Sequence, residues 1–253
     1  MSERDGFAPG VPCWVDTWQD DGDALAGFYT GLFGWDAVRD EYSMFQLRGR
    51  DIAGFGGQAI GPPAWMTYVQ VEDADATAVT VTDAGGTLVH EPFDSLEGGR
   101  IVIAADPAGA MLGLWQLGEH AGAQLVNEPG AWAMSALSTP DPAGAEAFYG
   151  AVLGWETEPF GPATMFRLPG FVGGEPTQPV PRDVVAVMME GETAQWTPDF
   201  WVDDAEATAA RAAELGGRVV MPPSYTGVGT TGVLADPAGA VFSVTKIDEP
   251  ATG

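Results

Sequence analysis

Two short segments near the N-terminus combine a titratable group with aromatic and apolar side chains at alternating positions. Side chains two residues apart on a β-strand share a face, so CWVDTWQ and WMTYVQV each predict one ring-lined face. Those faces carry Trp14, Asp16 and Trp18 from the first segment and Met66, Tyr68 and Gln70 from the second. A carboxyl group that faces such a surface loses hydration, which raises its pKa and equips it to act as an acid or a base.

Asp16, Tyr68 and His90 are the candidate catalytic residues. His90 lies beside Glu91 in VHEPF, and a histidine titrates near neutral pH, as a general base must. A single histidine on a strand is more often structural or exposed, so both interpretations stay open for His90. GFGGQ, at residues 54–58, is rich in glycine but lacks the strand-to-helix context of a nucleotide-binding loop.

The elements that position these residues follow a strand–helix–strand order. After the first strand, residues 23–33 carry apolar side chains near helical spacing, and Asp21 or Asp23 is suited to cap that helix. Short strands come next, in SMFQLRG and DIAGFGG. The order then repeats with a strand at 65–71, a helix at 75–84 that two glycines close, and three more strands.

The whole pattern occurs twice, because three segments recur in the same order. The pairs are ALAGFYTGLFGWD and GAEAFYGAVLGWE, VEDADATA and VDDAEATA, and ADPAGAMLGL and ADPAGAVFSV. The spacing between partners is larger for the last two pairs, which predicts an insertion in the second copy, in a loop at 169–183. The sequence thus predicts a first domain at 10–118, a linker at 119–129 with an exposed His120, and a second domain at 130–248.

These features resemble the vicinal oxygen chelate superfamily, which contains glyoxalases, extradiol dioxygenases and bleomycin- and fosfomycin-resistance proteins. The resemblance rests on FYTGLFGW in the first helix and on the DPAGA turn before the last strand, and it is strongest to two-copy actinobacterial proteins. It implies an α+β fold of two tandem glyoxalase-like domains. Each would have two βαβββ modules that form a curved eight-stranded sheet around a cavity, whose inner face we call the cup.

The resemblance also implies where metal-dependent members hold a divalent ion. Their ligands stand on the first, fifth and last strands, and such a site needs imidazole or carboxylate groups. The corresponding residues here are Trp14, Met66 and Gly113 in the first copy and Met134, Thr197 and Ser243 in the second. The sequence therefore predicts no family-type metal site and no cofactor.

Strand alternation predicts which residues line the two cups instead. Leu112, Leu114, Phe242 and Val244 are expected to face the helices, so their neighbours face the cavity. The predicted ligand-binding residues are Trp14, Trp18, Met66, Gln70, Met111, Trp115, Met134, Asp199, Trp201 and Ser243. Rings and thioethers of this kind suit a flat ligand, although the same side chains would also suit a packed core.

The charge balance limits the partners. The chain has 36 Asp and Glu against ten Lys and Arg, a net charge of −26, and no basic run. Nucleic acid and anionic membranes attract clustered cations, so neither is an expected partner. The sequence has no apolar run typical of a signal peptide or membrane span, and Cys13 is its lone cysteine, so a cytoplasmic protein is expected.

Two functions fit the predicted cups. The first is metal-independent binding of an aromatic or polyketide-like compound, for sequestration or resistance. The second is a metal-independent enzyme, such as a cyclase, isomerase or lyase, that transfers protons on a polycyclic natural-product intermediate. The sequence does not decide between them, and a monomeric pseudo-dimer and a homodimer both fit the duplication.

Overall fold

The computed structural model describes residues 3–56, 61–95, 99–173 and 180–248. The first copy contains β1 (Pro12–Trp18), α1 (Gly22–Phe33), β2 (Asp36–Val38), β3 (Ser43–Leu47), β4 (Arg50–Gly56), β5 (Trp65–Gln70), α2 (Ala74–Asp83), β6 (Thr87–Asp94), β7 (Arg100–Ala105) and β8 (Met111–Gln116). The second contains β9 (Trp132–Thr139), α3 (Pro142–Leu153), β10 (Glu156–Phe160), β11 (Ala163–Arg167), β12 (Val184–Glu190), β13 (Gln195–Trp201), α4 (Ala205–Glu214), β14 (Arg218–Tyr225), β15 (Gly229–Ala235) and β16 (Val241–Ile247). This order confirms the predicted βαβββ modules.

Two predicted loop segments lie partly outside the described residues. In the loop predicted at 169–183, residues 169–173 and 180–183 form neither helix nor strand, and residues 174–179 are outside the described ranges. GFGGQ begins in β4, and its residues 57–58 also fall outside those ranges. The described part of the long loop thus agrees with an insertion between β11 and β12.

Each helix begins at an aspartate that satisfies a backbone donor of the first turn. Asp21, Asp73, Asp141 and Asp204 accept the backbone N–H three residues further on, at 2.9–3.0 Å. Asp21, one of the two residues suggested by the sequence, therefore caps α1. None of the helices in the described ranges has the length and apolar character that a transmembrane span needs.

The strands form two eight-stranded mixed sheets, one from each copy. The first has the order β2-β3-β4-β1-β5-β8-β7-β6, and the second has the equivalent order β10-β11-β12-β9-β13-β16-β15-β14. Strand β1 pairs parallel with β4 and antiparallel with β5, which in turn pairs parallel with β8. This arrangement confirms the predicted fold and brings the two candidate segments, on β1 and β5, side by side.

Each hydrophobic core draws on both copies. Phe28 and Tyr29 of α1 contact Phe242 of β16, with ring centroids 6.3 and 5.6 Å apart. The other core combines Phe148 and Tyr149 of α3 with residues of α2, β7 and β8. Phe242 therefore faces the helices, as strand alternation predicts, and the cups lie on the opposite faces of the sheets.

The aromatic segment of the first helix in each copy is hydrogen-bonded to the DPAG turn of the other copy. The Tyr29 hydroxyl donates to Asp236 Oδ2 at 3.1 Å, and the Tyr149 hydroxyl donates to Asp106 Oδ2 at 3.0 Å. Both aspartates begin a DPAG turn and also accept backbone N–H groups of that turn. The FYxxxxGW segment of one copy thus binds the DPAG turn of the other, which fixes how the two sheets pack.

Candidate ligand-binding site

Asp16 forms the floor of the first cup, which we define as the face of the first sheet that carries Trp14, Asp16, Trp18, Tyr68 and Trp115. The Asp16 side chain is buried. Its Oδ2 accepts three hydrogen bonds of 3.0 Å, from Trp18 Nε1 and from the hydroxyls of Tyr42 and Tyr68. Its Oδ1 is also buried but has no hydrogen-bond partner among the described residues. One carboxyl oxygen is therefore saturated while the other keeps an unused acceptor.

Tyr42 is a cup residue that the sequence analysis missed. It lies between β2 and β3, in a segment without strand alternation, so no periodic signal assigns it a face. Its hydroxyl donates to Asp16 and accepts from Trp14 Nε1 at 2.8 Å. Tyr42 thus links the indole of Trp14 to the carboxyl group and completes a ring of aromatic side chains around Asp16.

Three glycines make room for these rings. A Cβ atom built on Gly54 would lie 1.9 Å from the Tyr42 hydroxyl oxygen, and one on Gly56 would lie 2.1 Å from the Trp18 ring. A Cβ atom on Gly113 would lie 2.1 Å from the Tyr68 ring. Contacts this short are not tolerated, so glycine at these positions on β4 and β8 is a steric requirement of the aromatic ring arrangement.

Burial controls the protonation of the cluster. Loss of hydration raises the pKa of Asp16 to about 6, and the hydrogen bonds from Trp18, Tyr68 and Tyr42 oppose that rise. Burial and the nearby Asp16 charge raise the pKa values of Tyr42 and Tyr68 well above the usual range. Both phenols therefore remain hydrogen-bond donors at neutral pH, and Asp16 is the group of the cluster that can exchange a proton there.

The prediction that His120 is an exposed linker residue is wrong. The residue is half-buried, and its imidazole stacks on Trp115 with ring centroids 5.4 Å apart and an interplanar angle of 12°. It also meets Trp14 edge to face at 4.8 Å. The linker lies against β1 because Ala123 N–H donates to the Cys13 carbonyl at 2.8 Å. That attachment holds His120 over the first cup.

The second cup is the corresponding face of the second sheet, defined by Met134, Ala136, Asp199, Ser243 and Thr245. Asp199 Oδ1 accepts from the hydroxyls of Ser243 and Thr245, each at 2.7 Å, and loss of hydration raises the pKa of Asp199 to about 6. Met134 and Ala136 are half-buried, whereas Trp14 and Asp16 on β1 are only 1% and 2% exposed. The second cup is thus more polar and more open than the first.

The remaining predicted site residues take several environments. Trp115 is buried 6.2 Å from the Tyr68 ring, and its Nε1 has no acceptor among the described residues. Met66, Gln70 and Trp201 are half-buried, and Met111 is 42% exposed at the start of β8. His90 is exposed on the edge strand β6, where it contacts Phe93 at 4.6 Å. The structure therefore brings Asp16 and Tyr68 together but does not place His90 with them.

Asp16 lines neither of two pockets on the described surface. One, of about 320 Å³, is lined by Arg4, Asp5, Arg50, Glu119, His120, Ala121, Gly122 and Gln124. The other, of about 330 Å³, is lined by Asp94, Gly99, Arg100, Gln116 and Leu117. The first pocket lies beside the linker and has His120 in its lining.

The residues at the family's metal-ligand positions do not fit a metal ion. The Trp14 indole is a donor engaged with Tyr42, Met66 offers a thioether, and Gly113 has no side chain. Burial raises the pKa of the neighbouring Cys13 thiol strongly, which opposes formation of a metal-binding thiolate. The described residues also contain no group of three or more His, Cys, Asp and Glu arranged to hold an ion.

Comparisons with known proteins agree with the fold. A family model described as a glyoxalase-like domain matches residues 133–245. The chain is 38% identical over 265 residues to "Putative glyoxylase CFP32" of Mycobacterium bovis, covering 97% of this chain and 98% of the relative. It is 36% identical over 269 residues to the anthracycline biosynthesis protein DnrV of Streptomyces peucetius, covering 96% and 95%. The Mn(II)-bound glyoxalase from Novosphingobium aromaticivorans shares the fold, with a TM-score of 0.68 at 17% identity, covering 95% of this chain and 83% of that one.

Proposed function

Because this chain belongs to the glyoxalase-like proteins of the vicinal oxygen chelate superfamily, we propose that it binds an aromatic, polyketide-like small molecule in the first cup without a metal. The observation that carries this proposal is Asp16 Oδ1, which is buried and has no hydrogen-bond partner in the described parts of the chain. A buried polar atom without a partner costs free energy, and a ligand hydroxyl that donates to it would remove that cost.

The surroundings of Asp16 support an aromatic ligand. Trp14, Trp18 and Trp115 offer ring faces and edges, and the donors on Oδ2 hold the carboxyl group in one orientation. Apolar walls with a few placed polar groups are typical of small-molecule sites. Among the relatives, DnrV is named for anthracycline biosynthesis, which favours a polycyclic phenolic compound. Sequestration, resistance and a pathway role are all compatible with such binding.

Calorimetric titration with dihydroxynaphthalene and its dimethoxy counterpart tests the proposal. The two probes share a ring system, but only the diol can donate to Asp16 Oδ1. We expect the diol to bind at least about tenfold more tightly, since a hydrogen bond to a buried acidic group is worth about 1.5–3 kcal/mol. Asp16→Ala is expected to abolish this preference.

Asp199→Ala is the matched control, because it removes the equivalent carboxyl group from the second cup. It should leave the diol preference unchanged. Thermal unfolding would establish that both variants are folded. The proposal fails if neither probe binds saturably, and the location fails if Asp199→Ala, but not Asp16→Ala, abolishes the preference.

A metal-independent proton-transfer enzyme is the second candidate, and the raised pKa of Asp16 favours it. An ionised Asp16 would remove the α-proton of an enolisable ketone and return a deuteron from heavy water to the same carbon. Exchange into tetralone, followed by NMR, is expected to accelerate as pH rises through about 6, where Asp16 ionises. Asp16→Asn should lack that acceleration. An exchange rate equal to that of buffer at every pH would eliminate this candidate.

A further inference from the structure

The His120 ring packs against aromatic side chains of the first cup, as an aromatic ligand would. Its flat imidazole is nearly parallel to the Trp115 indole and meets the Trp14 indole edge to face. We propose that residues 117–122 form a cover over the first cup and that the ligand displaces the His120 ring. This inference rests on the proposed function, because it describes how that same site becomes accessible.

The cover lies between two firm attachments. On one side, Gln116 at the end of β8 accepts the Ala74 N–H through its side-chain carbonyl at 3.1 Å. On the other side, Ala123 N–H donates to the Cys13 carbonyl at 2.8 Å. Between these points, Gly122 N–H makes a long contact of 3.4 Å with His120 Nδ1. The segment is therefore fastened to β8 and β1 at its two ends, with His120 between them.

Gly122 allows the chain to turn at the end of the cover. Its φ is +89°, in the left-handed region, and a Cβ atom there would lie 2.6 Å from the Cys13 carbonyl oxygen. Glycine thus permits both the turn and the close approach to β1. A second glycine, Gly118, precedes His120 in the same segment.

Space lies next to the cover on its outer side. The pocket of about 320 Å³ is lined by residues 119–122 together with Arg4, Asp5, Arg50 and Gln124. Because His120 itself lines this pocket, a displaced ring has space beside its present position. The rings it leaves behind, Trp14 and Trp115, are two of the predicted ligand contacts, so an aromatic ligand would replace one stacking partner with another.

The chain has two histidines, so proton NMR of the imidazole Cε1–H signals separates the covered state from the displaced state. We expect the His120 signal to be shifted upfield by the ring currents of Trp14 and Trp115. Adding dihydroxynaphthalene should return it toward the position of a solvent-exposed histidine. The His90 signal, which comes from the exposed edge strand, should not move and serves as the internal control.

Calorimetry with the same diol measures the competition directly. His120→Ala is expected to bind the diol about fivefold to tenfold more tightly, because the ring contacts that hold the cover closed no longer compete. His120→Phe retains a stacking ring and should bind more weakly than His120→Ala. His90→Ala is the matched control and should bind like the unaltered protein.

The possible results separate this inference from the proposed function. If the diol binds but His120→Ala and the unaltered protein have equal affinity, the cover is overturned while the binding function stands. A His120 signal at the exposed position without ligand also overturns the cover. If His120 is shifted upfield but no variant binds the diol, the binding function fails, and displacement by a ligand fails with it.

Discussion

Asp236→Ala is expected to lower the free energy of unfolding by about 4 kcal/mol, within the range for truncating a buried, multiply bonded carboxyl group. Asp236 Oδ1 accepts backbone N–H groups from Ala238, Gly239 and Ala240, all within 3.0 Å. Its Oδ2 accepts from Gln19 Nε2 at 2.5 Å and from the Tyr29 hydroxyl at 3.1 Å. Alanine would leave this set of buried donors without an acceptor and would also remove a tie between the two copies.

Chemical denaturation followed by tryptophan fluorescence would measure the loss. Tyr29→Phe removes a single donor from the same carboxyl group and is expected to cost about 1 kcal/mol. Asp106→Ala is the matched variant in the first copy, and its loss should be smaller, because Asp106 accepts two turn N–H groups and one hydroxyl. A loss below about 1 kcal/mol for Asp236→Ala would show that these ties are energetically unimportant.

Gly113→Ser is expected to weaken diol binding at least about tenfold and to destabilise the fold by about 1–3 kcal/mol, as overpacking does. Gly113 pairs in register with Tyr68, and the new Cβ would overlap the Tyr68 ring. Tyr68 would have to leave Asp16, so the donor set on Oδ2 would lose a member. The second copy has Ser243 at the equivalent position, opposite the smaller Asp199.

A compensating variant makes this prediction specific. Combining Gly113→Ser with Tyr68→Ala should relieve the overlap. The double variant should therefore lose less free energy of unfolding than the sum of the losses of the two single variants. Gly27→Ala is the control glycine variant, since a Cβ atom on this residue of α1 meets nothing within 4 Å. It should be neutral or slightly stabilising. If Gly113→Ser leaves stability and diol binding unchanged, the prediction is wrong, and the hydrogen bond from Tyr68 to Asp16 is not needed for either.

Strand alternation was the most informative signal in the sequence. It predicted the shared face of Trp14, Asp16 and Trp18, and the structure brings Asp16 and Trp18 into hydrogen-bonding contact. It also predicted that Phe242 faces the helices. Successive side chains on a strand point to opposite faces, so assigning one residue to the cup assigns its neighbours to the helices. The internal repeat then extended the same assignment to the second copy.

Other features depend on contacts that no local pattern encodes. Tyr29 and Asp236 are hydrogen-bonded although they are 207 residues apart. Neither motif indicates whether its partner lies in the same copy or in the other one. Tyr42 has no strand period, and His120 lies in a segment whose composition is that of an ordinary linker. Its burial follows from the attachment of Ala123 to β1, which is a tertiary contact. The sequence therefore predicted the walls of the first cup but not its cover.

Covalent fusion of the two copies removes a restriction that symmetric dimers face. In a dimer of identical chains, every substitution enters both sites at once. Here Tyr68 opposes Gly113 while Asp199 opposes Ser243, and each pair is matched in size within its own sheet. A serine in place of Gly113 would overlap the Tyr68 ring. Paired substitutions in one half can therefore reshape its cup while the other half keeps its own shape.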